Sequence, residues 1–226
     1  MKFYESGDNR KPVIFLFPGT CCLYNSFDHV LDGLYSYFYT VAVSYDGFDP
    51  NEKTEFYSME DECEKIEQEI RTKYGGRIKA AYGCSLGGSF VSLLIQRKRI
   101  HIDHGIIGSS DMDEAGSFMA KLQSSIIVPI MYKMVHTGKL PKFMQNKINE
   151  ADESRKKLID GFVNMFGIDK GGSPWITKQS VYNQFYSDLV TKVQHGIDVP
   201  GTTIHVFYAT KMGEKYEKRY CTYFKN

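Results

Sequence analysis

Long apolar runs, paired cysteines and an excess of either charge are all missing from this sequence of 226 residues. No apolar stretch approaches the ~20 residues that a membrane-spanning helix needs, and the opening MKFYESGDNRK has no apolar signal core. A soluble, unexported, cytoplasmic protein is therefore expected. With 28 Lys and Arg against 27 Asp and Glu, the net charge is +1, which excludes a strong electrostatic footprint for nucleic acid or an anionic membrane. The five cysteines include no C-x-x-C pair, and an odd number with two adjacent (Cys21, Cys22) argues against a disulfide framework. Tryptophan occurs once, whereas Tyr and Phe number 16 and 15, enough for an aromatic core or for pockets lined by rings.

What is present reads as one large domain with an insertion. Lys11 to Phe17 (KPVIFLF) is a short apolar run stopped by Pro18-Gly19, the pattern of a strand buried on both faces. Helical spacing follows over Asn25 to Tyr37, then a strand-forming run from Tyr39 to Tyr45. Ser58 caps a helix with an acidic first turn that reaches Tyr74 before Gly75-Gly76. A strand at Arg77 to Tyr82, a helix from Ser85 to Arg99 and a strand at His104 to Gly108 continue the alternation. The spacing predicts an α/β protein, with a mostly parallel sheet covered by helices on both faces.

From Asp111 to Val193 the alternation stops, and Glu114 to Thr137, Lys142 to Met165 and Thr177 to Lys192 all read as helical. The division that results is a core over 1–113, a helical cap over 114–192, and a return to the core over 193–226, with a strand at Thr202 to Tyr208 and a helix at Gly213 to Phe224. In the first helix of the insertion, Phe118, Met119, Leu122, Ile126, Ile127, Ile130, Met131 and Met134 form an apolar face, expected to pack on the core or enclose an apolar acyl group.

The chemistry concentrates at Gly83-Cys84-Ser85-Leu86-Gly87, which matches G-x-S-x-G between a strand and a helix. Small residues two before and two after the serine allow the sharp turn that lifts its hydroxyl off the sheet. The turn also aims the N–H groups of a helix N-terminus at any oxygen bound there. The Leu86 N–H and that of Thr20 or Cys21, in the loop after the first apolar strand, are the expected oxyanion donors; otherwise Pro18-Gly19 simply turns the chain. The same turn also reads as G-x-S-x-x-G, a dinucleotide fingerprint with Asp103 about 20 residues on. Asp103 precedes the expected strand in place of ending it, and Ser85 hinders the approach of a pyrophosphate.

On the FLFPGT loop, the VSYDG strand end, the YGCSLGG elbow and the helical insertion, the chain resembles the α/β-hydrolase superfamily. The resemblance implies a serine hydrolase of esterase or thioesterase type that acts through a Ser85 acyl-enzyme on a small or medium uncharged acyl ester. No cofactor or metal is implied. The family order also calls for an acid and then a histidine after the last strand. Asp111, just past the strand at His104 to Gly108, is the favoured acid, with Asp113 and Glu214 behind it, although Asp111 is as well suited to capping the next helix. No internal histidine fits the family position, so the base is expected beyond residue 226 and the sheet is expected to lack its last strand. The other reading is a non-catalytic ligand-binding protein on the same fold.

Overall fold

The computed structural model describes residues 1–142, 171–208 and 213–225, together with Gln145, Glu153, Asp160, Gly161, Val163 and Phe166. Its centre is built from the apolar runs. β2 (Val13–Phe17) and β3 (Tyr39–Ser44) bury nearly every side chain. β4 (Arg77–Cys84), β5 (His101–Gly108) and β6 (Thr203–Phe207) extend the sheet in parallel, while β1 (Lys2–Ser6) pairs antiparallel with β3. The order is β1-β3-β2-β4-β5-β6. A mostly parallel sheet flanked by helices is thus what the alternation predicted.

Helix α1 (Asp28–Tyr35) shares one face with Ile14, Leu16, Ala42, Ala80 and Tyr82. The other face carries the larger core, into which α2 (Met59–Tyr74) sends Ile66 and Ile70, and α3 (Leu86–Arg97) sends Phe90, Val91 and Leu94. Ser58 accepts the Asp61 N–H at 3.1 Å and Gly75 closes α2 with φ 63°, the cap and stop expected there. On the α1 side, β5 and β6 expose the pair His104 and His205, with Nδ1 and Nε2 3.2 Å apart, and Phe207 is 64 % exposed.

Three differences from the expectation have physical causes. β1 was not anticipated, because a five-residue edge strand needs only backbone pairing and two anchors. Tyr4 stacks on Tyr24 with ring centroids 3.6 Å apart, and Phe3 meets Phe15 edge-on across the sheet. β5 begins at His101, so Asp103 lies within the strand, 2.8 Å from Arg77 and 3.2 Å from Lys79. Ion pairing on the open face conceals the start of the strand, His101 to Asp103, which hydropathy alone misses.

The insertion supplies α4 (Ser117–Thr137) and α5 (Lys178–Val190), and β6 is followed by α6 (Glu214–Tyr223). The expected helix at Lys142 to Met165 lies almost wholly outside the described residues. In α4 six of the eight residues expected on the packed face point outward, while Met134 is buried and Met131 is half-buried against the core. Phe118, Met119, Leu122, Ile126, Ile127 and Ile130 are exposed among the described residues, whereas Ala120, Ser124, Val128, Met134 and Val135 are buried. The helix is apolar nearly all round, so the ridge of small residues four apart, which permits close approach, decides which side packs.

Candidate active site

Ser85 stands where β4 ends and α3 begins, with φ 53° and ψ −120° and its side chain exposed. A non-glycine residue held there costs about 1–3 kcal/mol and persists only where its surroundings over-determine it. The determinants are visible. The Ser85 N–H donates to the Gly108 carbonyl and the Ser85 carbonyl accepts from Gly88, each at 2.8 Å. A Cβ on Gly83 would fall 2.0 Å from the Gly87 carbonyl oxygen, and one on Gly87 would fall 2.1 Å from that of Phe17. Both glycines are therefore required by backbone packing around the serine.

The loop after β2 lies against this turn. A Cβ built on Gly19 would be 3.5 Å from the Ser85 Cβ, and the buried Tyr45 hydroxyl donates to the Pro18 carbonyl at 3.2 Å. As the first residue of α3, Leu86 has an N–H ahead of the helical ladder and near Ser85. Cys21 is a correction. It adopts φ 60°, and its N–H donates to Gln184 Oε1 at 2.7 Å, a buried bond from α5 that leaves no free donor at Cys21. Thr20 is the remaining member of the pair named from the sequence.

Asp111 follows β5 on the same sheet edge as Ser85, but its carboxylate accepts the Asp113 N–H at 3.3 Å and so closes a turn. Arg219 on α6 donates to the Asp111 carbonyl and to the Asp113 carboxylate. Glu214 is exposed in the first turn of α6. Residues 209–212, just past β6, lie outside the described residues. Histidine contacts go elsewhere: His101 to Asp103, His104 to His205, His136 to the Ile176 carbonyl, and His195 to the Tyr223 ring. The structure therefore brings the loop after β2, through Gly19, against Ser85 at the start of α3, and gives neither Asp111, Asp113 nor Glu214 a described histidine partner.

Two residues of α5 escaped the sequence reading. Gln184 is fully buried, and its Nε2 has no hydrogen-bond partner. Asp188 lines a narrow cavity with Met59, Ser89, Met112 and Tyr223. Burial pushes its carboxyl up to about 7, Asp111 and Asp113 add to the rise, and the Ser89 hydroxyl opposes it. The available signal was their spacing: Gln184 and Asp188 are four apart and share a face with the buried Val181 and Ser187. All five cysteines are free, and burial pushes the Cys22 thiol up to about 12, which leaves it a poor nucleophile. Among the described residues, no group of three His, Cys, Asp or Glu side chains is placed to hold a metal, and no helix is long and apolar enough to cross a membrane.

No protein-family profile and no curated protein matches this sequence. Solved structures do. A protein assigned to the α/β-hydrolase family from Desulfitobacterium hafniense superposes with a TM-score of 0.76 at 13 % identity, over 100 % of this chain and 87 % of its own. A marine microorganism esterase gives 0.67 at 13 % identity, over 99 % and 87 %. The type II thioesterase BorB from the borrelidin biosynthetic cluster gives 0.59 at 12 %, over 90 % and 76 %. At such identities the likeness shows the fold, and the fold is that of the α/β hydrolases.

Proposed function

We propose that the protein is a serine hydrolase of esterase or thioesterase type, with Ser85 as its nucleophile and a small or medium uncharged acyl ester as its substrate. The observation that carries the reading is the Ser85 backbone, held at φ 53° on an exposed turn by glycines that nothing larger can replace. Strain of this kind clusters at sites where a group is presented for use, and here it presents an exposed hydroxyl at the N-terminus of α3.

In the proposed reaction Ser85 Oγ attacks the acyl carbon. The Leu86 and Thr20 N–H groups receive the developing oxyanion, each lowering the barrier by about 3 kcal/mol if well aimed. The insertion acts as a cap, since α5 reaches the loop after β2 through Gln184 and the segment after β3 through Ser180 and Asn183. Phosphate esters are disfavoured because the sequence around the elbow, from Ala80 to Gln96, contains no Arg or Lys. The neighbouring esterase and thioesterase structures support an acyl ester as the substrate class.

A second reading, a ligand-binding protein on the hydrolase fold, is favoured by one observation: the described hydrogen bonds of Ser85 run through its main chain. Labelling by a fluorophosphonate, compared with Ser85→Ala, separates the two. Ser85-dependent labelling and turnover of p-nitrophenyl esters of graded acyl length are expected. Absence of labelling across pH would favour the binder, and faster turnover of a phosphomonoester would refute the substrate class.

A further inference from the structure

Of the large apolar side chains exposed among the described residues, six lie on α4: Phe118, Met119, Leu122, Ile126, Ile127 and Ile130. Phe118 is 79 % exposed and Ile126 62 %. Spacings of three and four along the helix gather most of them on one side, in a stripe about 18 Å long at 1.5 Å per residue. The opposite side is committed: Ala120, Ser124, Val128 and Val135 are buried, and the Gly138 N–H closes the helix on the Met134 carbonyl at 2.9 Å. The exposure thus belongs to a packed helix and not to a frayed one. Contiguous apolar surface of this kind marks a contact with a partner or a membrane. Its charge is one-sided as well. Ala115 to Lys142 contains Lys121, Lys133, Lys139 and Lys142, all exposed, and neither Asp nor Glu. The acids just before α4 are turned to the core, Asp113 to Arg219 and Glu114 to the Val193 N–H and the Tyr223 hydroxyl.

We propose that this face docks the protein on a membrane surface that carries anionic phospholipid headgroups. α4 lies in the plane of the interface, with its apolar stripe at the boundary of the acyl chains and its lysines among the phosphates. Lysine stems run along apolar surface and keep their ammonium groups at headgroup level, so Lys121 and Lys133 suit the margins of such a contact. A net charge of +1 hides this footprint, because the acids that balance the lysines lie elsewhere in the chain. Local balance decides the contact. A second copy of the chain fits less well. A twofold contact has to be self-complementary, yet every register of α4 against its own copy joins two faces whose formal charges are all positive. Pairing antiparallel about the helix midpoint at Ile127 even sets Lys121 opposite Lys133 of the second copy. An anionic lipid surface meets the same lysines with the opposite charge. The docking does not depend on the role given to Ser85.

Co-sedimentation of the 226-residue chain with sucrose-loaded vesicles of phosphatidylcholine, with and without phosphatidylserine, tests this. Binding to the mixed vesicles is expected, with weaker binding to phosphatidylcholine alone and a loss of the difference as salt is raised. Lys121→Gln and Lys133→Gln should each weaken binding to the mixed vesicles about fivefold. Leu122→Gln combined with Ile126→Gln should weaken it about tenfold or more, with unchanged circular dichroism and Tm, since both side chains already face water. Lys218→Gln, exposed on α6, is the control and should bind as wild type does. Ser85→Ala should also bind normally, so a failure of the hydrolase reading and a failure of this one are told apart. Equal binding to both kinds of vesicle, binding to neither, or binding that survives the α4 replacements would overturn the proposal. Sedimentation velocity that shows a dimer abolished by the Leu122 and Ile126 replacements, without vesicle binding, would also overturn it and give the face to a second copy.

Discussion

Replacing Gly83 by Ala should dismantle the elbow, and the size of the effect follows from the backbone around it. The new Cβ would lie 2.0 Å from the Gly87 carbonyl oxygen, 2.1 Å from its carbon and 2.5 Å from the Gly88 nitrogen. All three atoms belong to the main chain of the first turn of α3, so no side chain can rotate away. To reach ordinary contact the helix must retreat by about 1 Å or more, against the Phe90, Val91 and Leu94 packing that holds it. Overpacking of this kind costs about 1–3 kcal/mol, and more where only backbone can yield. For a chain of this length, about 3 kcal/mol lowers Tm by roughly 6–12 °C. Gly33→Ala is the matched control. It sits on α1 with nothing within 4 Å of its added Cβ, and should be neutral or stabilising by up to about 1 kcal/mol. Calorimetry and fluorophosphonate labelling measure both consequences. A Gly83→Ala protein with wild-type Tm and wild-type labelling of Ser85 would refute the claim that steric closure at this glycine creates the strained serine.

Two further outcomes follow from α5. Asp188→Asn should make stability less dependent on pH. The carboxyl is raised from the ordinary range to about 7, so the native state binds the extra proton between about pH 4 and 7. Wild-type stability contributed by this group is therefore full below pH 4, falls as pH rises toward 7, and is flat above. The amide lacks that slope, so its advantage should grow from near zero at pH 4 to no more than about 4 kcal/mol at pH 8, and less after relaxation. Urea midpoints at several pH values that run parallel in the two proteins would contradict the assignment. Gln184→Leu leaves the buried Cys21 N–H unpaired and should cost about 1–3 kcal/mol in urea unfolding while slowing the labelling of Ser85. Unchanged values of both would show that the bond does not hold the loop.

Local pattern carried much of this protein into view. The strands at β2 to β6, the caps of α2 and the turn at Ser85 were legible because each is written within a few residues: apolar runs closed by glycine, a serine three before its N–H partner, and small residues two either side of a nucleophile. The Gly83 and Gly87 requirement is steric and nearest-neighbour in kind, so spacing in the sequence is enough to announce it. What escaped the sequence depends on residues far apart in the chain. β1 is a strand because Tyr4 finds Tyr24 and Phe3 finds Phe15. The exposed side of α4 follows from which ridge approaches its neighbours closely, a choice its nearly uniform apolarity leaves open. The Cys21 N–H is taken by a side chain 163 residues away. Asp111 turns out to close its own turn, and His29 lies on a cavity that exists only once α1 and β4 are packed together. The sequence by itself determined where the chain bends and what that bend presents; which donors are free, which carboxyl is raised by burial and which side chains line a cavity were decided by tertiary packing, because burial and hydrogen-bond partnership are properties of space and not of order along the chain.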